Sequence, residues 1–302
     1  FVKSCSNDAF TGDKAPTAGA GAGAPPLAQR DAGSAWHFRG RRIIEAVFED
    51  LRKYTGLGAD GNDRLVYGGC SSGARGATVT LDYVAASLAG RARTVGLLDS
   101  GFWVPVRPRG PGVWTPFEEQ LRSSLRLANS SASVGEACGR AFPGEQRWKC
   151  LMPAYRLPFV RTPYFLVHSQ YDIFGVSMNT YGHFNAGVNL DPAGLQYAER
   201  YRARVAESLP FPANGSRSVV FSPACYLHCI NTVNRFFSIV ANGVKLAELL
   251  YWWLNAASAG DSTARFLEPC EGFNCGCSAA AKFQDMTLAL QKGQRQDAAA
   301  GR

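Results

Sequence analysis

The stretch Tyr67-Gly68-Gly69-Cys70-Ser71-Ser72-Gly73-Ala74-Arg75-Gly76 decides how this chain is read. A short run, Arg64-Leu65-Val66-Tyr67, leads in, and a helix-compatible stretch from Gly73 to Leu88 leads out. Between them Gly69-Cys70-Ser71-Ser72-Gly73 fits G-x-S-x-G, the sharp strand-to-helix turn that lifts a serine hydroxyl out of an α/β sheet. Small flanking residues are needed because the serine sits on strained backbone with chain passing close on both sides, and glycine tolerates both conditions. In this frame Ser71 is the nucleophile. Ser72 has cysteine rather than glycine two positions before it, so its claim is weaker. The plain alternative is a Gly/Ser-rich loop without chemistry, which so short a pattern also matches by chance. A base, an acid and an oxyanion hole must come from elsewhere in the chain.

Outward from this turn, residues 64–68, 73–89 and 94–99 read as strand, helix and strand. That rhythm implies an α/β chain built on a mainly parallel sheet, with right-handed crossovers and helices on both faces. Upstream, Ile43, Ile44, Val47, Phe48 and Leu51 recur at helical spacing. Residues 1–12 read as the end of a strand running into a loop. Residues 13–35 form a low-complexity Ala/Gly/Pro insertion to which no chemistry is assigned. Downstream, residues 104–160 are rich in Pro, Arg and Ser, with a helix near 117–128 and a Cys138…Cys150 pair, and are expected to roof the site. Strands follow at 163–168 and 217–222, with helices at about 191–208 and 233–254. The expected organisation is one domain over 1–278 and a polar, disordered tail over 279–302.

The 302 residues can bury a substantial core, and a hydrophobic share of 46% with 19% charged is ordinary for a globular chain. No apolar run reaches the roughly 18–20 residues that span a bilayer. The net charge of +8 comes from scattered arginines without a dense basic run, which argues against a nucleic-acid partner. Nine cysteines, five of them late (Cys225, Cys229, Cys270, Cys275 and Cys277), and two sequons at Asn129 and Asn214 point to a secreted, disulfide-bonded glycoprotein. Cys275-x-Cys277 is not usual zinc spacing and no histidine follows, so disulfides are preferred to a metal site. A secreted chain should carry a signal segment. This one starts at Phe1 without one and is expected to lack an N-terminal part.

In open parallel sheets reactive groups gather at the carboxyl ends of the strands. Of the four histidines, His37 lies at a helix start, His168 within a strand and His183 in a polar loop. His228 follows the last strand, in Pro223-Ala224-Cys225-Tyr226-Leu227-His228-Cys229. That suits the general base that accompanies a G-x-S-x-G serine in α/β-hydrolases, which follows serine and acid in chain order, and the two flanking cysteines can fix its loop. Asp172, just past the 163–168 strand, is the preferred acid, holding the imidazole tautomer. Asp99 is its rival, because it also ends a strand, although Ser100-Gly101 marks it as turn-forming. One oxyanion donor is the backbone N–H of Ser72, the residue after the nucleophile. The second is not identifiable in the chain and is expected upstream of Phe1.

With these residues in place the chain resembles the pectin acetylesterase family, which includes Notum-type deacylases. The matching pieces, in order, are Cys5-Ser-Asn-Asp-Ala-Phe-Thr-Gly-Asp13, His37-Phe-Arg-Gly40 with Glu45-Ala-Val-Phe-Glu-Asp-Leu51, and Gly69-Cys-Ser-Ser-Gly73. They continue with Leu98-Asp-Ser-Gly-Phe102, residues 162–172 ending in Tyr171-Asp172, Cys225-Tyr-Leu-His-Cys229 and the Cys-rich end. Carried over by motif, the triad is Ser71, Asp172 and His228. The resemblance implies a secreted serine carboxylesterase with an α/β-hydrolase-like fold, needing no metal or cofactor; the expected substrate is an O-acetyl ester on a cell-wall polysaccharide such as pectin, and the expected state is a monomer. The alternatives are deacylation of a lipid-modified protein, which requires a deep apolar pocket, and a non-catalytic binding role on a hydrolase scaffold. The family's Gly-Gly-Gly-Trp-Cys oxyanion segment has no counterpart in this chain, and Ser72 and Ala74 stand where the family usually has Ala and Gly.

Overall fold

Tyr164-Phe165-Leu166-Val167 and Val219-Val220-Phe221-Ser222 lack polar alternation because both faces of each strand are covered, as parallel sheets require. The computed structural model describes Val2 and residues 8–14, 37–187, 189–213, 216–255 and 263–277. Cys5, the tail at 279–302, the sequon asparagine Asn214 and all of the 13–35 insertion except Asp13 and Lys14 lie outside the described residues. Of the stretch 1–12 read as a strand end, residues 8–10 form a turn.

Helix α1 (Gly40–Thr55) buries Ile44 and Phe48 against Val84 and Leu88 and closes on Gly56 at φ 73. Strand β1 (Asp63–Cys70), helix α2 (Ser72–Ser87) and strand β2 (Ala92–Asp99) follow as the sequence predicts. The excursion contains α3 (Phe117–Leu127), α4 (Glu136–Ala141) and α5 (Pro153–Arg156). Strand β3 (Tyr164–Val167) leads to α6 (Ile173–Tyr181), α7 (Pro192–Ser208) and β4 (Val219–Ser222). The order of the main sheet is β1-β2-β3-β4-β7, all parallel, where β7 is Ala264–Leu267.

Alternation along each strand sends residues to opposite layers. Leu98, Leu166 and Val220 pack under Leu81 of α2 and Tyr197, Tyr201 and Val205 of α7. Val95, Phe165, Val167, Phe221 and Phe266 face Leu246, Leu249 and Trp253. Helices therefore cover both faces. Residues of the 104–160 excursion pack a cluster of their own, with Phe117, Leu121, Trp148 and Met152 meeting Trp103 and Val79 of α2.

The continuous helix expected over 233–254 does not exist. Its first half is a 3-10 turn (Asn234–Phe237) and a two-stranded hairpin, β5 (Val240–Ala241) with β6 (Val244–Lys245), and only α8 (Leu246–Asn255) is helical. Asn242-Gly243 is the cause. Both take positive φ (50 and 78), as a two-residue hairpin turn demands and a helix forbids. Strand β7 carries an arginine among four residues, too short a signal to read locally; it is defined by its pairing with β4.

Register matters most for the site. Cys70 pairs with Asp99 and Asp99 with Val167, so Ser71, Ser100 and His168 leave the sheet side by side at its carboxyl edge.

Candidate active site

Ser71 occupies φ 57, ψ −122, a region that non-glycine residues rarely enter, between the end of β1 and the start of α2. Its N–H donates to the Asp99 carbonyl at 2.9 Å, and its own carbonyl accepts the Arg75 N–H at 3.0 Å, opening the helix. The strain falls on Ser71 and not on Ser72, which is the first helical residue. The Ser72 N–H belongs to that first turn, where helix amides have no intrahelical partner.

Asp172 and His228 meet directly. Asp172 is completely buried, and its Oδ2 lies 2.6 Å from His228 Nδ1. Its Oδ1 accepts the Gly175 N–H at 2.9 Å, so the same carboxylate caps α6. Two backbone bonds between the strand-end loops bring the pair together: Gln170 N–H to Pro223 carbonyl at 2.9 Å and Ile173 N–H to Leu227 carbonyl at 3.3 Å. Burial by itself would raise the Asp172 pKa. The charge and hydrogen bond of His228, with His168 and the Gly175 N–H, outweigh it and hold the carboxyl below its ordinary value. The His228 imidazole shows the complementary shift. Burial lowers it, but the Asp172 charge and hydrogen bond, with a smaller push from Asp99, leave it raised.

A disulfide ties the serine to this pair. The eight cysteines of the described residues form Cys70–Cys229, Cys138–Cys150, Cys225–Cys277 and Cys270–Cys275. The first joins the neighbour of Ser71 to the neighbour of His228 across 159 residues of sequence, and the third anchors the other end of the histidine loop. Among the described residues no hydrogen bond joins Ser71 Oγ to His228. A His228 ring nitrogen lies within 4.8 Å of both bridge sulfurs. Three such atoms could suit a metal, but sulfurs joined to each other offer no thiolate.

Aromatic rings fill the space beside the imidazole. Phe174 stacks on His228 (centroids 5.8 Å, 27°) and on Trp103 (5.5 Å, 18°). Trp103 stacks in turn on Phe117 (4.4 Å), and Trp114 meets Phe174 edge-on. Phe184, half exposed, meets His228 edge-on (centroids 6.3 Å). None of these rings was singled out in the sequence. The local signal for Phe174 and Trp103 is an aromatic two positions after Asp172 and after Gly101, which marks core residues as often as site residues.

The remaining candidates separate cleanly. Among the described residues no hydrogen bond joins Asp99 to the imidazole; its carboxylate accepts backbone amides of the loop after His228. His168 sits just past β3, fully buried, with neither ring nitrogen hydrogen-bonded, and burial pushes its pKa down to about 4. His37 and His183 are exposed. Asn129 is exposed in a left-handed turn after α3. Among the described residues no helix is long and apolar enough to cross a membrane.

Comparison with known proteins matches this architecture. The pectinacetylesterase family model covers residues 1–271. The palmitoleoyl-protein carboxylesterase notum1 of Xenopus laevis is 24% identical over 262 residues, which span 84% of this chain and 48% of that one. Pectin acetylesterase 7 of Arabidopsis thaliana is 24% identical over 204 residues, 64% of this chain and 50% of that one. The crystal structure of the Wnt deacylase Notum from Drosophila superposes with a TM-score of 0.71 at 23% identity, covering 90% of this chain and 71% of that one. The chain thus spans about half the length of the curated relatives it matches. With the family model matched over most of its length and the fold shared, this chain belongs to the pectinacetylesterase family.

Proposed function

We propose that the protein is a secreted carboxylic ester hydrolase that works by acyl transfer through Ser71, His228 and Asp172. Ser71 Oγ attacks the acyl carbonyl while His228 takes its proton. His228 then returns that proton to the leaving alcohol, and water releases the acyl group by the reverse sequence. Asp172 holds the imidazole by Nδ1, leaving Nε2 for the proton. The Ser72 N–H is one donor to the oxyanion, and no described residue is assigned as the second. The observation that carries the assignment is the 2.6 Å Asp172–His228 contact, joined to the Ser71 elbow by Cys70–Cys229. Four disulfides support an oxidising, extracellular setting.

For the acyl group, a short chain such as the acetyl ester of a cell-wall polysaccharide is favoured over a lipid. A long acyl chain needs an empty apolar channel beside the imidazole. Here Phe174, stacked between Trp103 and His228, occupies apolar space directly against the ring. Rates on p-nitrophenyl acetate and p-nitrophenyl octanoate test both points. The expected result is preference for acetate in the native chain, a shift toward octanoate in Phe174→Ala, and loss of both activities in Ser71→Ala. Preference for octanoate in the native chain would instead support lipid deacylation. Absence of fluorophosphonate labelling at Ser71 in folded protein would support a binding role.

A further inference from the structure

Asp99 ends β2, between the strand that carries the serine and the strand that leads to Asp172. It is 2% exposed, and every oxygen it owns is engaged on the site. Its backbone carbonyl accepts the Ser71 N–H at 2.9 Å. Its Oδ1 accepts the Ser100 hydroxyl at 2.8 Å and the Ile230 N–H at 3.1 Å, and its Oδ2 accepts the Asn231 N–H at 2.8 Å. Ser100, turned inward by a positive φ of 53, accepts the Cys229 N–H on its Oγ at 2.9 Å. The three backbone amides that follow His228 therefore all end on Asp99 and Ser100, and the amide of Ser71 ends on Asp99 as well. Cys229 itself takes φ 56, a conformation that persists only where its surroundings fix it.

We infer that Asp99, with Ser100, is a positioning residue that fixes the Ser71 elbow and the His228 loop relative to one another for proton transfer. A carboxylate is suited to the task because all its lone pairs accept, so it can take two backbone amides and a hydroxyl at once, whereas an asparagine would turn an N–H₂ toward an N–H. Its charge also acts on the imidazole. The titratable groups facing His228 are Asp172 at the head of α6, Asp99 from β2 and His168 after β3. Phe174 and Phe184 present only rings, and Cys225 and Cys229 are bridged. Burial lowers the His228 pKa, Asp172 raises it, and Asp99 adds to that rise.

The inference rests on Ser71 and His228 acting as proposed, and the experiment separates the two. Hydrolysis of p-nitrophenyl acetate by the full chain is measured as a function of pH for the native protein, Ser71→Ala, Asp99→Asn and Ser100→Gly. Ser100→Gly suits the positive φ and keeps the charge. Asp99→Asn is expected to lower kcat by about 10- to 100-fold with KM little changed, because misplacement on the order of 1 Å costs that much. The acid limb of its kcat/KM profile should move to lower pH, since the variant removes one of the charges that raise the His228 pKa. Ser100→Gly should lower kcat several-fold and leave the limb in place. A folded Asp99→Asn with native kcat and an unmoved limb overturns the inference. If Asp99→Asn does not fold, native kcat in Ser100→Gly overturns it instead. Full activity in Ser71→Ala would sink the proposed mechanism, whatever the other variants do.

Discussion

The two glycines of the elbow look equivalent in sequence but should respond oppositely to a methyl group. A Cβ on Gly69 would lie 2.7 Å from the Gly73 carbonyl carbon, 3.0 Å from its oxygen and 3.1 Å from the Ala74 nitrogen. These are backbone atoms in the first turn of α2 and cannot rotate away. Carbon atoms rest at about 3.5 Å or more, so β1 and α2 would have to part by roughly 0.8 Å. Such overpacking typically costs about 1–3 kcal/mol. The displaced residue is Ser71, and misplacement on the order of 1 Å can lower a rate about 100-fold. A Cβ on Gly73, by contrast, meets nothing within 4 Å, and its φ is not positive. Alanine there should stabilise the first helical turn by about 0.5–1 kcal/mol through lost freedom of the unfolded chain. Thermal unfolding should place Gly69→Ala several degrees below the native protein and Gly73→Ala at or slightly above it. Hydrolysis of p-nitrophenyl acetate should collapse in the first variant. Equal melting temperatures for the two variants, or native kcat/KM in Gly69→Ala, would refute the steric account of the elbow.

Removing Cys70–Cys229 by double Cys→Ser substitution should cost up to about 5 kcal/mol, the chain-entropy value for its 159-residue separation. Removing Cys138–Cys150, which spans only 12, should cost about 3 kcal/mol; denaturant unfolding compares them, and only the first should also abolish esterase activity. Asp172→Asn should lower kcat by roughly three to four orders of magnitude. Because Asp172 holds the imidazole pKa up against burial, the acid limb of kcat/KM should also fall to lower pH, as a pH-rate series would show. His168 predicts an acid sensitivity of the fold. Its pKa is about 4 in the native state against an ordinary 6.5, so between those values the unfolded chain binds the extra proton. Stability should then decline by about 3 kcal/mol as pH falls through that window. Urea titrations at pH 7 and pH 4.5 should show a smaller loss in His168→Leu than in the native protein.

How much was legible in the sequence depended on how local each signal was. The elbow was legible because its geometry is written in five adjacent residues, and the β1–α2–β2 unit because apolar period and turn residues agree over a long stretch. The hairpin at 240–245 was also written locally, in Asn242-Gly243, but the apolar residues on either side suggested one helix. Four residues are too few to identify β7, whose partner β4 lies over forty positions away.

By itself, then, the sequence determined the candidates: a serine on a strand-to-helix turn, an aspartate past one strand and a histidine past another, in an order consistent with acyl transfer. Those features depend on neighbours a few residues apart. The tertiary structure decided which side chains meet. Eight cysteines permit 105 pairings, and only the register that sets Cys70 beside Asp99 and Asp99 beside Val167 brings the serine elbow under the histidine loop. It also divided the two aspartates. Asp172 reaches the imidazole, while Asp99, one strand nearer the serine, holds backbone on both sides of the site. Hydrogen bonds act over about 3 Å, and such proximity between residues 99 and 231 exists only once the sheet has formed.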